Sequence, residues 1–190
     1  MIDKEKIAKA VKSILEALGE DPSRPGLIDT PKRVANLYSE LFSGLQRDPT
    51  KEFSTIFKEN SSELIILKDL PFNSLCEHHL LPFDGVVTVG YVSNKLIAGI
   101  GTIARSIEIL SSKPQIQERL TKQISELLEK TLQPSGVAIV IEANHLCMTI
   151  NSPQAKDSTL VTTSFSGVLK NPTSYREEFL SLIGNEQING

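Results

Sequence analysis

Every cysteine and histidine in this chain falls in one of two short windows. The two cysteines and three histidines of its 190 residues all lie in Cys76-Glu77-His78-His79 and His145-Leu146-Cys147. Scattered structural cysteines and histidines have no reason to cluster in this way, so the fold is expected to bring two distant segments to one place. Cys76 and His79, with two residues between them, suit a single metal held on one turn of chain, and Cys147 adds a third ligand from far along the sequence. Three protein ligands leave zinc a fourth position for water, the arrangement of a catalytic site, whereas a structural site closes with a fourth protein ligand. Thiolate and imidazole also accept Fe(II) or Co(II). His78 and His145 each stand beside a presumed ligand, and imidazole exchanges protons near neutral pH. The residues alone leave other readings open: a Cys76–Cys147 disulfide, a closed zinc site using a second histidine, or buried thiols and imidazoles with no metal.

Composition narrows the class of protein. Lys and Arg number 20 against 23 Asp and Glu, a net charge of −3, and no long basic block is present. That balance argues against nucleic acid or an anionic membrane as partner. Hydrophobic residues at 39% and charged residues at 23% are the mix of an ordinary globular chain. The opening MIDKEKIAKAVKSI has no apolar stretch of signal-peptide length. No run reaches the roughly 20 apolar residues of a membrane span. The expectation is a soluble, cytoplasmic protein.

Hydrophobic periodicity divides the chain. Ile7, Val11, Ile14, Leu15 and Leu18 recur at helical spacing over 3–18, with Gly19 placed to cap the end. Two prolines and a glycine in Glu20–Gly26 mark a connector. Thr30-Pro31 reads as a helix start, and Val34, Leu37, Tyr38, Leu41 and Phe42 form that helix's apolar stripe. Residues 46–60 read as a loop. From about residue 63 strands appear, over 64–67 and 85–92, while 96–100 either extends the second strand or approaches a helix. Helical stripes follow over 102–111 and 114–132, then strands over 136–142, 145–150 and 159–165, and a short helix over 173–184. The order predicts an α+β fold, an antiparallel sheet of about four strands with helices on one face. It also predicts a helical region over 1–60 and a ββααββ unit over 61–190. So small a sheet has edges to cover, and self-association is one way to cover them.

Five stretches together resemble the GTP cyclohydrolase I family: Glu20-Asp-Pro-Ser-Arg-Pro-Gly-Leu, Thr30-Pro-Lys-Arg-Val, Leu75-Cys-Glu-His-His-Leu-Leu-Pro-Phe, Gln115-Ile-Gln-Glu-Arg-Leu-Thr-Lys-Gln and Glu142-Ala-Asn-His-Leu-Cys-Met. They occur in the family's order, and the Cys-Glu-His-His and His-x-Cys-Met segments are specific to it. The resemblance implies a tunnelling fold, in which ββααββ units join into pentameric barrels and two rings stack as a homodecamer with active sites between subunits. It implies opening of the GTP imidazole ring at C8, loss of formate, and closure to 7,8-dihydroneopterin triphosphate, on the way to folate or tetrahydropterin. It implies Cys76, His79 and Cys147 as zinc ligands, the zinc acidifying the water that attacks C8. It further implies His78 and His145 as proton-handling catalytic residues, and Glu118 as the carboxylate bonding the guanine N1–H and 2-amino group, with Gln117 beside it in the same pocket. An unpaired buried carboxylate would penalise other bases.

One segment departs from the family. Its Gly-Leu-Ser-Lys-x-x-Arg run, whose Ser, Lys and Arg contact the triphosphate, reads Gly99-Ile100-Gly101-Thr102-Ile103-Ala104-Arg105 here, so the Ser is Gly101, the Lys is Thr102, and of the three only Arg105 is kept. A further family arginine aligns with Asn151. Charge-assisted hydrogen bonds contribute roughly 1.5–3 kcal/mol each. The thinned site therefore points to weakened triphosphate binding, or to a purine substrate with fewer phosphates, or to a catalytically weak ring-forming relative.

Overall fold

A computed structural model describes residues 2–59, 62–150, 152 and 158–184. Two helices open the chain, α1 (Lys4–Ala17) and α2 (Thr30–Leu41). Asp3 caps α1 by accepting a hydrogen bond from the Lys6 N–H at 2.9 Å. Thr30, read from sequence as a cap, is itself helical, and Asp29 precedes it without a side-chain cap bond. The stretch expected to be a loop is more ordered than that. After a 3₁₀ turn at Ser43–Gln46 it holds a second, Pro49–Ser54, and strand β1 (Ile56–Lys58), which pairs with β4 (Leu96–Ala98) in a small sheet of its own.

The main sheet is built from β2 (Leu64–Cys76), β3 (Pro82–Val92), β6 (Gly136–His145) and β7 (Leu160–Phe165), each antiparallel to its neighbour. The two-residue β5 (Pro114–Gln115) runs parallel to the end of β2 and places Gln115 opposite Cys76. Strand order is β5-β2-β3-β6-β7. Between the strand pairs come α3 (Ile100–Ser111) and α4 (Gln117–Leu132). The run 145–150, expected to be a strand, divides differently: His145 ends β6, and α5 (Leu146–Thr149) is a single helical turn.

Alternation along β6 shows how the sheet is covered. Val137, Ile139, Ile141 and Ala143 join Ile103, Ile107, Leu120, Ile124 and Leu128 of α3 and α4 in the larger core. Ala138 and Val140 point the other way, into a smaller cluster with Leu169 and Phe179. Phe179 belongs to α6 (Ser174–Gly184). The helices are thus not confined to one face, because α6 covers part of the second. This arrangement leaves the C-terminal end of β2, the start of β3, the end of β6 and the start of α4 at one end of the sheet, where the Cys/His windows meet.

Candidate functional site

The Cys76 thiol lies at the end of β2, and Glu77, His78 and His79 form the turn into β3. Backbone bonds close this turn: Leu80 N–H donates to Cys76 C=O at 2.8 Å and Cys76 N–H to Leu81 C=O at 2.9 Å. Leu80 completes it at φ 53, a left-handed conformation uncommon for leucine. Across the strands, Phe83 pairs with His145 in register, which carries the second window to the same end of the sheet. One turn of helix then brings Cys147 inward. The ligand atoms of Cys76, His79 and Cys147 lie within 4.8 Å of one another. Cys76 Sγ stands 3.9 Å from His79 Nδ1 and 3.8 Å from His78 Nδ1, so both imidazoles of the turn reach the thiol.

This donor set fits a thiophilic cation. Cys76 is buried and Cys147 half-buried, and both are free thiols. Burial, with Cys76 beside it, pushes the Cys147 thiol up from its usual range. A divalent ion reverses that tendency, because it stabilises both thiolates at once. Two sulfurs and one imidazole nitrogen are ligands that zinc takes, and three of them leave a position open.

His145 is held from two sides. Its ring stacks on Phe83 at 4.5 Å with an interplanar angle of 6°. Its Nε2 lies 2.9 Å from Gln117 Oε1. Gln117 Nε2 faces the backbone carbonyls of Ile141 at 3.0 Å and Leu160 at 2.9 Å, with Thr162 Oγ1 at 3.1 Å. Carbonyls only accept, so the amide nitrogen must face them and the amide oxygen must face the imidazole. His145 therefore donates from Nε2, and its neutral form keeps Nδ1 free to take a proton. Burial lowers the His145 pKa, opposed by the Glu118 charge, so the neutral ring is favoured.

Gln117 and Glu118, adjacent in sequence, part company in space. Gln117 is fully buried and occupied as described. Glu118 is exposed and lines a cleft of about 340 Å³ with Thr121, Lys122 and Thr162–Ser164. Expected beside Glu118 in one pocket, Gln117 instead grips His145 from the start of the helix, a contact with no signal in the sequence. Arg105 is exposed on α3, and its Nε donates to Glu52 Oε2 at 2.8 Å. Arg47 also pairs with Glu52, at 3.4 Å. Gly101 is exposed, while Thr102 is 5% exposed. Asn151 lies outside the described residues. A bidentate pair with no signature in the sequence joins Arg119 to Glu77.

A sequence model of GTP cyclohydrolase I matches residues 7–184. The chain belongs to the GTP cyclohydrolase I family. Among its relatives, GTP cyclohydrolase 1 of Streptococcus gordonii is 47% identical over 187 residues, covering 98% of this chain and 100% of the relative. The GTP cyclohydrolase 1 of Listeria monocytogenes is 48% identical over 183 residues, 96% of this chain and 97% of the relative. That of Halalkalibacterium halodurans is likewise 48% identical, over 96% of this chain and 97% of its own length. Membership of the GTP cyclohydrolase I family fits the α+β fold, and no helix among the described residues is long and apolar enough to cross a membrane.

Proposed function

We propose that this chain carries out the GTP cyclohydrolase I reaction at the end of the sheet where its two Cys/His windows meet, hydrolysing the guanine imidazole ring of GTP at C8 to release formate and give 7,8-dihydroneopterin triphosphate. The carrying observation is the convergence of Cys76, His79 and Cys147, from windows far apart in sequence, within 4.8 Å in a chain of this family. These three residues would hold zinc. When bound, zinc supplies Lewis acidity and lowers the pKa of a coordinated water towards about 7. The chain's own groups do the rest. Glu118, open to the cleft, accepts hydrogen bonds from the guanine N1–H and 2-amino group and so fixes which base enters. His145, held as the Nε2–H tautomer, takes and returns protons at Nδ1, and exposed His78 serves as the second proton carrier. Gln117 sits behind Glu118, where its carboxamide orients His145. The thiolates need a reducing compartment, which supports a cytoplasmic location. A homodecamer of two pentameric rings, with sites shared between neighbours, accounts for a cleft that opens beside the edge strand β7.

One observation favours a second reading, in which the substrate carries fewer phosphates. Arg105, the one cation kept from the family's phosphate segment, is already paired with Glu52, and the lysine position is a buried threonine. Zinc-quantified protein incubated with GTP, GMP and guanosine separates the two. Formate and oxidised pterin in equal amounts from GTP support the first. Faster turnover of GMP or guanosine supports the second, and no product from any of the three removes both.

A further inference from the structure

The first turn of α4 touches both halves of the Cys/His constellation. Gln117 holds His145 at the end of β6. Glu118 faces the cleft. Arg119 reaches back to the Cys76–His79 turn, its Nη2 donating to Glu77 Oε1 at 3.0 Å and its Nη1 to Glu77 Oε2. Glu77 lies between Cys76 and His78 in sequence, and Arg119 holds its carboxyl below the usual carboxylate range. The Glu77 N–H to Gln115 C=O bond at 3.0 Å ties the start of the turn to the segment leading into α4, next to the pairing of Leu75 and Cys76 with Pro114 and Gln115. These backbone contacts fix the base of the turn, and the exposed His78 and His79 follow it.

We propose that Arg119 and Glu77 are positioning residues that set the separation between the imidazoles of His78 and His79 and the carboxylate of Glu118. The inference rests on the proposed function, since a fixed separation matters only if Glu118 holds one part of a substrate whose other end reacts at the Cys/His group. A planar guanidinium forked onto a carboxylate fixes both distance and orientation, which a single backbone bond does not. The pair is partly exposed, with side-chain exposures of 42% and 31%, so it contributes little to global stability and its loss leaves the chain folded. Its loss should instead be felt in turnover, because small misplacements of reacting groups cost up to about a hundredfold in rate.

The test uses Arg119→Ala, Glu77→Ala and the double variant in the intact, zinc-loaded protein. The expected result is a fall in kcat for formate release from GTP of about tenfold to a hundredfold in each single variant. KM and zinc content should stay near the parent values, and the double variant should be no slower than the slower single one, because either change removes the whole clamp. Arg119→Lys, which keeps the charge but makes one bond, should fall in between. Amide hydrogen exchange in the metal-free protein gives a readout independent of turnover: Cys76 and Leu80 should exchange at least tenfold faster in Arg119→Ala, with α3 unchanged. Unchanged kcat, strictly multiplicative losses, loss of zinc, or unaltered exchange in the turn would each overturn the positioning role. If the parent protein releases no formate, the proposed function falls, and the exchange comparison still decides whether the clamp orders the turn.

Discussion

Gln117 shows what a single side chain does at this site. Its carboxamide is 0% exposed and is spent on two carbonyls, a threonine hydroxyl and His145. Thr121 Oγ1 adds to the same network, 2.7 Å from Thr162 Oγ1. Gln117→Leu keeps the volume but leaves the carboxamide's buried partners unpaired, and each such group costs about 1–3 kcal/mol. The expected outcome is a loss of about 2–3 kcal/mol in urea denaturation, together with slower formate release because His145 loses its tautomer constraint. Unchanged stability and turnover would mean that the network is dispensable. Sequence alone hides this residue for a geometric reason. Successive helical residues point about 100° apart at 3.6 per turn, so of two neighbouring polar side chains one faces the core and the other the cleft. The Cys/His windows were legible because those residue types are scarce here and clustered, whereas a glutamine in a first helical turn looks like any solvated residue.

Elements are held in place by two contacts with different tests. The ring of Phe179, on α6, lies against Gly90 of β3, where an added Cβ would come 2.6 Å from Cε2 and 2.7 Å from Cδ2. Gly90→Ala should therefore cost about 1–3 kcal/mol as α6 is pushed from the sheet. Adding Phe179→Leu should recover part of the loss, and additive losses in denaturation midpoints would refute the contact as its cause. The second contact ties the 3₁₀ turn at Pro49–Ser54 to α3. A hydrogen bond from Arg105, with Arg47 contributing, holds the Glu52 carboxyl below its usual range. The folded pKa is thus lower than the unfolded value of about 4.3, so the unfolded chain binds more protons in that interval. The pair's contribution is complete above the unfolded value and disappears as pH falls through the folded one. From about pH 5 down to pH 3, Tm should fall more steeply in the parent than in Glu52→Gln; parallel curves would mean the pair adds no stability. Most helices were legible from their stripes, but β2 was not. Asp69 at φ 55 and the register shift between Leu67 and Leu70 interrupt its alternation, and Pro71 reads as a stop. The proline is tolerated because, among the described residues, β2 has a neighbour on its far side only at Leu75–Cys76. Residues 145–150 misled in the opposite sense: an apolar run too short to show a period proved to be a single helical turn.

At the scale of the molecule, the sheet is unfinished at both sides. Among the described residues β7 is the last strand, and most of β2 has an open edge, since β5 covers only two of its residues. α1 buries none of its residues, and Ile14 and Leu18 of the first helical segment are 57% and 74% exposed. Two different open edges on one chain suit head-to-tail pairing, in which the β7 of one copy meets the β2 of the next and the rotation closes a ring. The cleft beside Glu118 is lined by Thr162, Thr163 and Ser164 of that same β7, so closing the ring would also finish the substrate site. Val161→Lys tests this without disturbing the subunit. Within one chain Val161 is paired with Glu142, so the lysine gains an opposite charge across the strands and the fold is kept. Toward a neighbouring copy it loads the open edge with the charge that natural edge strands use to prevent pairing. The expected outcome by light scattering is a fall from a multiple of the 20.9 kDa chain towards the single subunit. Far-ultraviolet circular dichroism should be unchanged, and formate release should drop in step with the loss of mass. A variant that stays assembled, or one that dissociates yet keeps full turnover per chain, would show that β7 neither closes a ring nor needs a neighbour to complete its cleft.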